Sequence, residues 1–186
     1  EAGTGSGALT MTLLRAVGTD GKVISEEIRE DFARHATANI RRFMGETPNL
    51  EIRIRDIYEG IDVHDVDRIV LDLPEPWRIV DGMAKALRPG GYVASYLPTV
   101  LQVKRLVDTL FRQGEFALVD TVEILERHWH VAEMSIRPEH RMVAHTGFLT
   151  VARKGARFFS RLRRTHEVTE LSSELDDESA SELDET

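Results

Sequence analysis

Three groups of residues in this chain have the types and spacing to do chemistry. The first is Glu1 to Leu9, EAGTGSGAL, where Gly3, Gly5 and Gly7 alternate directly ahead of an apolar helical pattern. Glycines permit left-handed backbone and close approach, and the N–H groups that open a helix have no partner within it. Together they make a turn suited to a phosphate, a nucleoside or another ligand with a negative end. Gly3, Gly5 and Ala8 also satisfy the G-x-G-x-x-G/A form of a dinucleotide fingerprint, so the turn alone does not choose between ligands. The second group is acidic. Glu27 stands 20 residues after Gly7, a spacing at which a carboxylate can accept both hydroxyls of a ribose, and Asp56 and Asp72 fall where two further strands should end. Any one strand-end acid is ordinary surface chemistry, but three in register with a glycine turn are not easily accidental. The third group is DLPEPW, Asp72 to Trp77, whose prolines forbid both a longer strand and an early helix and so hold the Asp72 carboxylate rigidly.

The elements that must position these groups follow from periodicity. Leu9, Leu13, Ala16 and Val17 make one face of a helix ending before Gly18, and Lys22 to Glu26 reads as a short buried strand closed by Glu27. Ile28, Phe32, Ala36, Ile40 and Phe43 predict the inward face of a second helix, ended by Gly45 and Pro48. Leu50–Arg55 and Asp67–Leu73 are the next strands. A helix follows with Ile79, Val80, Met83, Ala84 and Leu87 inward. Pro89, Gly90 and Gly91 then turn the chain into a strand over Tyr92–Leu97, and Val100, Val103, Leu106, Val107, Leu110 and Phe111 predict another inward helical face. The last strands are Phe116–Leu125 and Gly147–Arg153, with no helix between them, so they should pair antiparallel. The connection Glu126–Met142 is long, basic and rich in His, and reads as a functional loop more than a hairpin turn. Strands alternating with helices give an α/β, Rossmann-like, doubly wound and mostly parallel sheet with an antiparallel last strand. A glycine turn of this kind normally follows a buried strand, yet Glu1 has none before it and no initiator Met, so the first strand is expected to lie upstream.

Composition narrows the classes. At 186 residues with 41% hydrophobic content, the chain can bury one proper core, and it contains no run of eighteen apolar residues that would span a bilayer. With no cysteine it has no disulfide framework, no thiolate metal site and no cysteine nucleophile, which suits a cytoplasmic enzyme. The net charge of −8 belongs to the end of the chain: Glu167–Thr186 holds nine acids and no Lys or Arg, and without them residues 1–166 carry +1. The expected organisation is a catalytic domain over 1–154, a basic segment over 155–166 and an acidic, disordered tail over 167–186. Arg153, Lys154, Arg157, Arg161, Arg163 and Arg164 form a basic run that could meet phosphates or be merely a solvated end.

An acid followed by prolines and an aromatic at the fourth strand resembles the site with which amino-group and adenine methyltransferases grip a nucleobase, for which a dehydrogenase has no need. EAGTGSGAL, ISEEIREDFA, DLPEPW, LRPGG and RPEHRMVAHTGFL taken together resemble the TrmI family of tRNA adenine-N1-methyltransferases, over most of Glu1 to Lys154. That resemblance implies the class I methyltransferase fold, S-adenosylmethionine as cofactor, and N1 of the T-loop adenosine at position 58 of tRNA as target. It implies that Gly3, Gly5, Ser6, Gly7, Ala8 and Leu9 hold the methionine part of the cofactor, Glu27 its ribose and Asp56 its adenine, with Phe32 a weaker contact. It implies that Asp72 faces the target adenine as the catalytic residue while bordering the cofactor, with Pro74 and Trp77 beside it on the substrate side. The family is usually a homotetramer. Glu26 stands where the family usually carries an aromatic, and the family's N-terminal β-rich domain does not appear in this sequence.

His128, His130, His140 and His145 invite a metal reading, but without Cys and without a third ligand at regular spacing no metal is expected. Contacts to tRNA phosphate fit them better, with Arg127, Arg137 and Arg141 as neighbours, and Arg137 and His145 are the candidates chosen. Trp77 and Trp129 are more often packing residues than platforms for bases. Two other readings stand beside the methyltransferase: a nicotinamide-dependent oxidoreductase, which shares the glycine turn and Glu27, and a non-catalytic tRNA-binding subunit, which predicts a degraded cofactor turn.

Overall fold

The computed structural model describes residues 1–155; the expected basic segment beyond Gly155 and the acidic tail lie outside the described residues. Helices and strands alternate through most of this length. They are α1 (Ala8–Val17), β1 (Val23–Glu27), α2 (Glu30–Met44), β2 (Leu50–Ile54), β3 (Val66–Leu71), α3 (Val80–Ala86), β4 (Leu87–Leu97), α4 (Val100–Gln113), β5 (Phe116–Glu123), β6 (Trp129–Ala132), β7 (Ser135–Pro138) and β8 (Phe148–Lys154). β1 pairs with β2 and β3 with β4, both parallel, while β8 runs antiparallel between β4 and β5. The antiparallel last strand expected from the missing crossover helix is therefore present.

Between β1 and β3 the sheet is joined by the first residues of the chain. Ala2 bridges Glu26 on one side and Leu71 on the other, both parallel. The bonds are strand-like: Ala2 N–H donates to Val70 O at 3.0 Å, Gly3 N–H to Glu26 O at 3.0 Å, Glu26 N–H to Glu1 O at 2.9 Å and Asp72 N–H to Ala2 O at 3.1 Å. This seam is where the sequence calls for the first strand to enter, and it delivers Gly3 to the carboxyl ends of β1 and β3.

Two apolar clusters hold the layers. Leu14 of α1, Val23 of β1 and Ala36 and Ile40 of α2 form the smaller, and the larger gathers Leu71, Met83, Leu87, Leu97, Leu106, Leu110, Phe116 and Ala152 from β3 to β8. Leu110 is fully buried, so truncating it to Ala should cost about 2–5 kcal/mol through lost transfer energy and the cavity left behind.

Several inward faces differ from the periodic reading. In α2 the residues against the sheet are Ala33, Ala36 and Ile40, while Phe43 is 66% exposed under the Arg42 guanidinium and Ile28, in the turn before the helix, is exposed. Small side chains let the helix lie close to the sheet, which leaves the larger Phe43 at the rim. Val100 and Phe111 of α4 are likewise exposed, because Leu106 and Leu110, with Val103 packed beside them, fill the space over the sheet. Leu87 is buried as expected but opens β4, whose register slips between Val66–Leu87 and Arg68–Tyr92 as the Pro89-Gly90-Gly91 turn bulges out. The connection after β5 contains a hairpin after all: β6 and β7 pair across a two-residue turn, with Glu133 at φ 45° and Met134 exposed at the tip. Trp129, expected to pack, is 57% exposed on this hairpin, because its strand lies on no second layer of the described chain.

Candidate active site at the carboxyl ends of the strands

The glycine turn is shaped by its backbone. Gly3, Gly5 and Gly7 have φ of 90°, 53° and 84°, the left-handed region that side chains resist. A Cβ on Gly3 would strike the carbonyl oxygen of Asp72, and one on Gly7 would lie 3.1 Å from Ile40 and 3.3 Å from the backbone of Ala36. On Gly5 it would meet only Gly3 O, at 3.9 Å, so that side of the turn is open. Gly7 caps α1 in the left-handed conformation without any side-chain cap on the helix. A glycine cradle over a helix N-terminus with no side-chain cap fits a ligand with a carboxylate or phosphate end. Ser6 and Ala8 are exposed on this turn and Leu9 is half-buried.

Glu27 is 7% exposed, and its carboxylate grips the backbone on both sides: Oε2 accepts from Gly5 N–H at 3.0 Å and Oε1 from Arg29 N–H at 3.0 Å. Each carboxylate oxygen has further lone pairs, so these bonds orient Glu27 without using up its capacity for hydroxyl donors. Beneath it, Thr4 Oγ1 and Ser25 Oγ share a hydrogen bond of 2.6 Å that ties the turn to β1. Phe32 lies at the start of α2 with the Arg29 guanidinium 3.8 Å over its ring. Glu26, next to Glu27 on β1, points to the other face, 5% exposed, with Oε2 lacking a hydrogen-bond partner; burial pushes its carboxyl up, and the Arg55 guanidinium opposes that shift.

Asp56 follows β2 and caps the turn Ile57–Glu59 by accepting from Tyr58 N–H at 2.9 Å. The loop beyond is held by Asp62, which pairs with Arg53 at 2.9 Å and Arg55 at 2.6 Å. Asp72 stands immediately after β3, exposed, as the first residue of DLPEPW and with its backbone carbonyl against Gly3.

DLPEPW is braced from two sides. Glu75 N–H donates to Tyr58 Oη at 3.1 Å, and Gln102 Nε2 donates to Pro74 O at 3.0 Å. The Gln102 amide is itself oriented by Thr99, whose hydroxyl donates to Oε1 at 2.7 Å and accepts from the Gln102 N–H at 3.3 Å. Arg78 lies 4.1 Å over the Tyr58 ring and Arg105 4.4 Å over the Trp77 ring. Trp77 is half-buried with its indole N–H unpartnered, and Pro74 is exposed.

The structure thus gathers Gly3, Gly5, Ser6, Gly7, Ala8, Leu9, Glu27, Asp56, Asp72, Pro74 and Trp77 at one end of the sheet. His145 reaches the same end from the segment before β8. One ring nitrogen faces the Glu123 carboxylate and the other lies 2.7 Å from Pro98 O, at the end of β4. The Glu123 hydrogen bond, followed by that of Pro98, pushes the imidazole pKa up, so the charged ring can donate to both acceptors. Both nitrogens are engaged within the protein, which makes His145 a tie between β4 and β5. Arg137 is placed elsewhere, exposed on β7 opposite His130, and no described hydrogen bond or ion pair joins it to the strand-end residues. Among the described residues no group of three His, Cys, Asp or Glu is arranged to hold a metal ion.

The family model for the tRNA methyltransferase complex GCD14 subunit matches residues 1–138. The chain belongs to the GCD14 family. Among GCD14-type relatives it is 43% identical to TrmI, a tRNA (adenine(57)-N(1)/adenine(58)-N(1))-methyltransferase of Methanocaldococcus jannaschii, over 82% of this chain and 63% of that protein. Two solved structures share the architecture: a SAM-dependent O-methyltransferase from Thermotoga maritima (39% identity, TM-score 0.77, 83% of this chain, 57% of that one) and the tRNA (m1A58) methyltransferase TrmI from Aquifex aeolicus (32%, 0.73, 83%, 60%). The chain therefore spans about three fifths of the length of these relatives. The doubly wound sheet read from the alternation of elements, and the methyltransferase fold implied by the family resemblance, are the fold they share.

Tyr58, Gln102, Arg78 and Arg105 escaped the sequence reading. Two had a local signal: Asp56-x-Tyr58 is a side-chain-capped turn, and Thr99-x-x-Gln102 has the spacing of a helix capping box.

Proposed function

We propose that the protein transfers a methyl group from S-adenosylmethionine to N1 of the T-loop adenosine at position 58 of tRNA. The observation that carries this reading is the lock between Gly3 and Asp72: the backbone of the acid in DLPEPW lies against the glycine turn, in a space no side chain would leave free. A base gripped by Asp72 would therefore sit beside whatever the turn holds. The catalytic domain is assigned to residues 1–154.

Within this reading S-adenosylmethionine, when bound, supplies the electrophilic methyl. The open side of Gly5 and the uncapped α1 suit its methionine end, Glu27 its ribose and Asp56 its adenine. Ionised Asp72 accepts a hydrogen bond from the exocyclic amine of the target adenine, which raises electron density on the ring and stabilises the positive charge as N1 is alkylated. The prolines of DLPEPW and the bonds from Tyr58 and Gln102 hold that carboxylate in place ahead of the reaction. Pro74 and Trp77 flank the base, Arg137 meets tRNA phosphate from the exposed β7, and His145 supports the tRNA-facing side through its tie between β4 and β5 and not by direct contact. A homotetramer in the cytoplasm completes the assignment, and the apolar side chains exposed on the β6–β7 hairpin, Trp129, Val131 and Ile136, favour subunit contact. None of the described helices is long and apolar enough to cross a membrane.

Calorimetric titration of the full-length protein with S-adenosylmethionine and with NAD tests the cofactor. Binding of S-adenosylmethionine alone is expected. Binding of NAD alone would replace the methyltransferase with an oxidoreductase.

A further inference from the structure

The two halves of the site are linked by one side chain. Asp56 Oδ1 accepts from the backbone N–H of Tyr58 at 2.9 Å, and the hydroxyl of the same Tyr58 accepts from the backbone N–H of Glu75, inside DLPEPW, at 3.1 Å. The phenol is half-buried, burial pushes its pKa up, and Arg78 covers its ring while reaching Glu75 Oε2 at 3.3 Å. Gln102 holds the same loop at Pro74 O but touches nothing on the Asp56 side in the described hydrogen bonds. The loop thus has one anchor that communicates with Asp56 and one that does not.

We propose that Tyr58 is a positioning residue that couples cofactor binding at Asp56 to the placement of DLPEPW, and hence of Asp72, against the target base. This rests on the reading of the site given above. A cofactor contact at Asp56 orders the turn Ile57–Glu59, that turn fixes the phenol, and the phenol fixes Glu75 and the loop between it and Asp72. Because coupling is reciprocal, bound tRNA must raise the affinity for S-adenosylmethionine by the same factor as S-adenosylmethionine raises the affinity for tRNA. Without the hydroxyl the coupling should fall to what direct contact of the two ligands at the Gly3–Asp72 lock supplies.

The test measures the dissociation constant of S-adenosylmethionine in the absence and presence of saturating unmodified tRNA, together with kcat, for the full-length protein, Tyr58→Phe and Gln102→Met. The Tyr58→Phe change keeps the ring under Arg78 and removes only the acceptor. Its cofactor affinity without tRNA should stay within about twofold of the parent, its kcat should fall about tenfold, and the tRNA effect on cofactor affinity should shrink well below its parent size. Gln102→Met should lower kcat while leaving the tRNA effect at its parent size, which separates transmission from simple loosening of the loop. Equal coupling in the parent and Tyr58→Phe, or no coupling in the parent, overturns the role of Tyr58 while the methyltransferase reading stands. A parent that binds no S-adenosylmethionine overturns both.

Discussion

Replacing Gly3 by Ala should damage the protein in a way that replacing Gly5 does not. At φ 90° a non-glycine residue costs about 1–2 kcal/mol. The new methyl would also press into the Asp72 carbonyl, with the oxygen inside van der Waals contact and the carbon at 3.2 Å. Neither backbone can yield freely, since Gly3 N–H is tied to Glu26 O and Asp72 N–H to Ala2 O. Losing one of those bonds adds about 0.5–1.5 kcal/mol, for a total of about 1.5–3.5 kcal/mol. Relief on the order of 1 Å at Asp72 is enough to cost about a hundredfold in turnover, because the acid must be placed before the reaction. Gly5→Ala carries only the left-handed penalty, about 1 kcal/mol, since its methyl meets nothing closer than Gly3 O at 3.9 Å and leaves Asp72 where it is. The assay is denaturant unfolding of both variants beside kcat at saturating S-adenosylmethionine. Equal stability of the two, with Gly3→Ala turning over within about threefold of the parent, would refute the lock between turn and acid.

Asp72→Ala should leave S-adenosylmethionine affinity nearly unchanged and lower kcat about a hundredfold or more, as for one lost preorganised electrostatic group; unchanged turnover in a steady-state assay would remove it from the mechanism. Glu27→Ala should weaken cofactor binding and also destabilise the fold, by about 1–3 kcal/mol for each of the Gly5 and Arg29 N–H groups left unpaired, and calorimetry with parent-like affinity would contradict the ribose assignment. The His145 tie should loosen in base: a pKa raised above the ordinary 6.5 means that the contribution is complete below about 6.5 and is lost as the pH climbs through the higher folded value. Hydrogen exchange over residues 142–147, corrected for intrinsic rate, should show protection falling as the pH rises, and pH-independent protection would show that the charged ring is not what holds the segment.

The order of elements was legible because β1, β3 and β4 carry apolar runs and are each followed by a helical period, and because Gly18, Gly45 and the prolines mark where elements stop. The strand-end acids were legible for the same reason: once Glu27, Asp56 and Asp72 are assigned to strand ends, a doubly wound sheet brings them to one side. Phe43 and Phe111 were misplaced because helical spacing says which residues share a face and not how much of that face the sheet can cover. The β6–β7 hairpin stayed hidden because its alternation buries neither side within the described chain, so its apolar residues gave no inward pattern. Tyr58 and Gln102 act on DLPEPW from 17 and 28 positions away, through hydrogen bonds to backbone atoms, and such contacts leave no mark in the composition of the loop they hold.

The most direct measurement is to incubate the full-length protein with unmodified tRNA and S-adenosylmethionine carrying a labelled methyl group, and then to map the modified nucleotide. The label should appear as N1-methyladenosine at position 58 and be largely absent when Asp72→Ala replaces the parent. Label on a different base or atom, or equal label with the variant, would contradict the assignment of Asp72 to the target adenine.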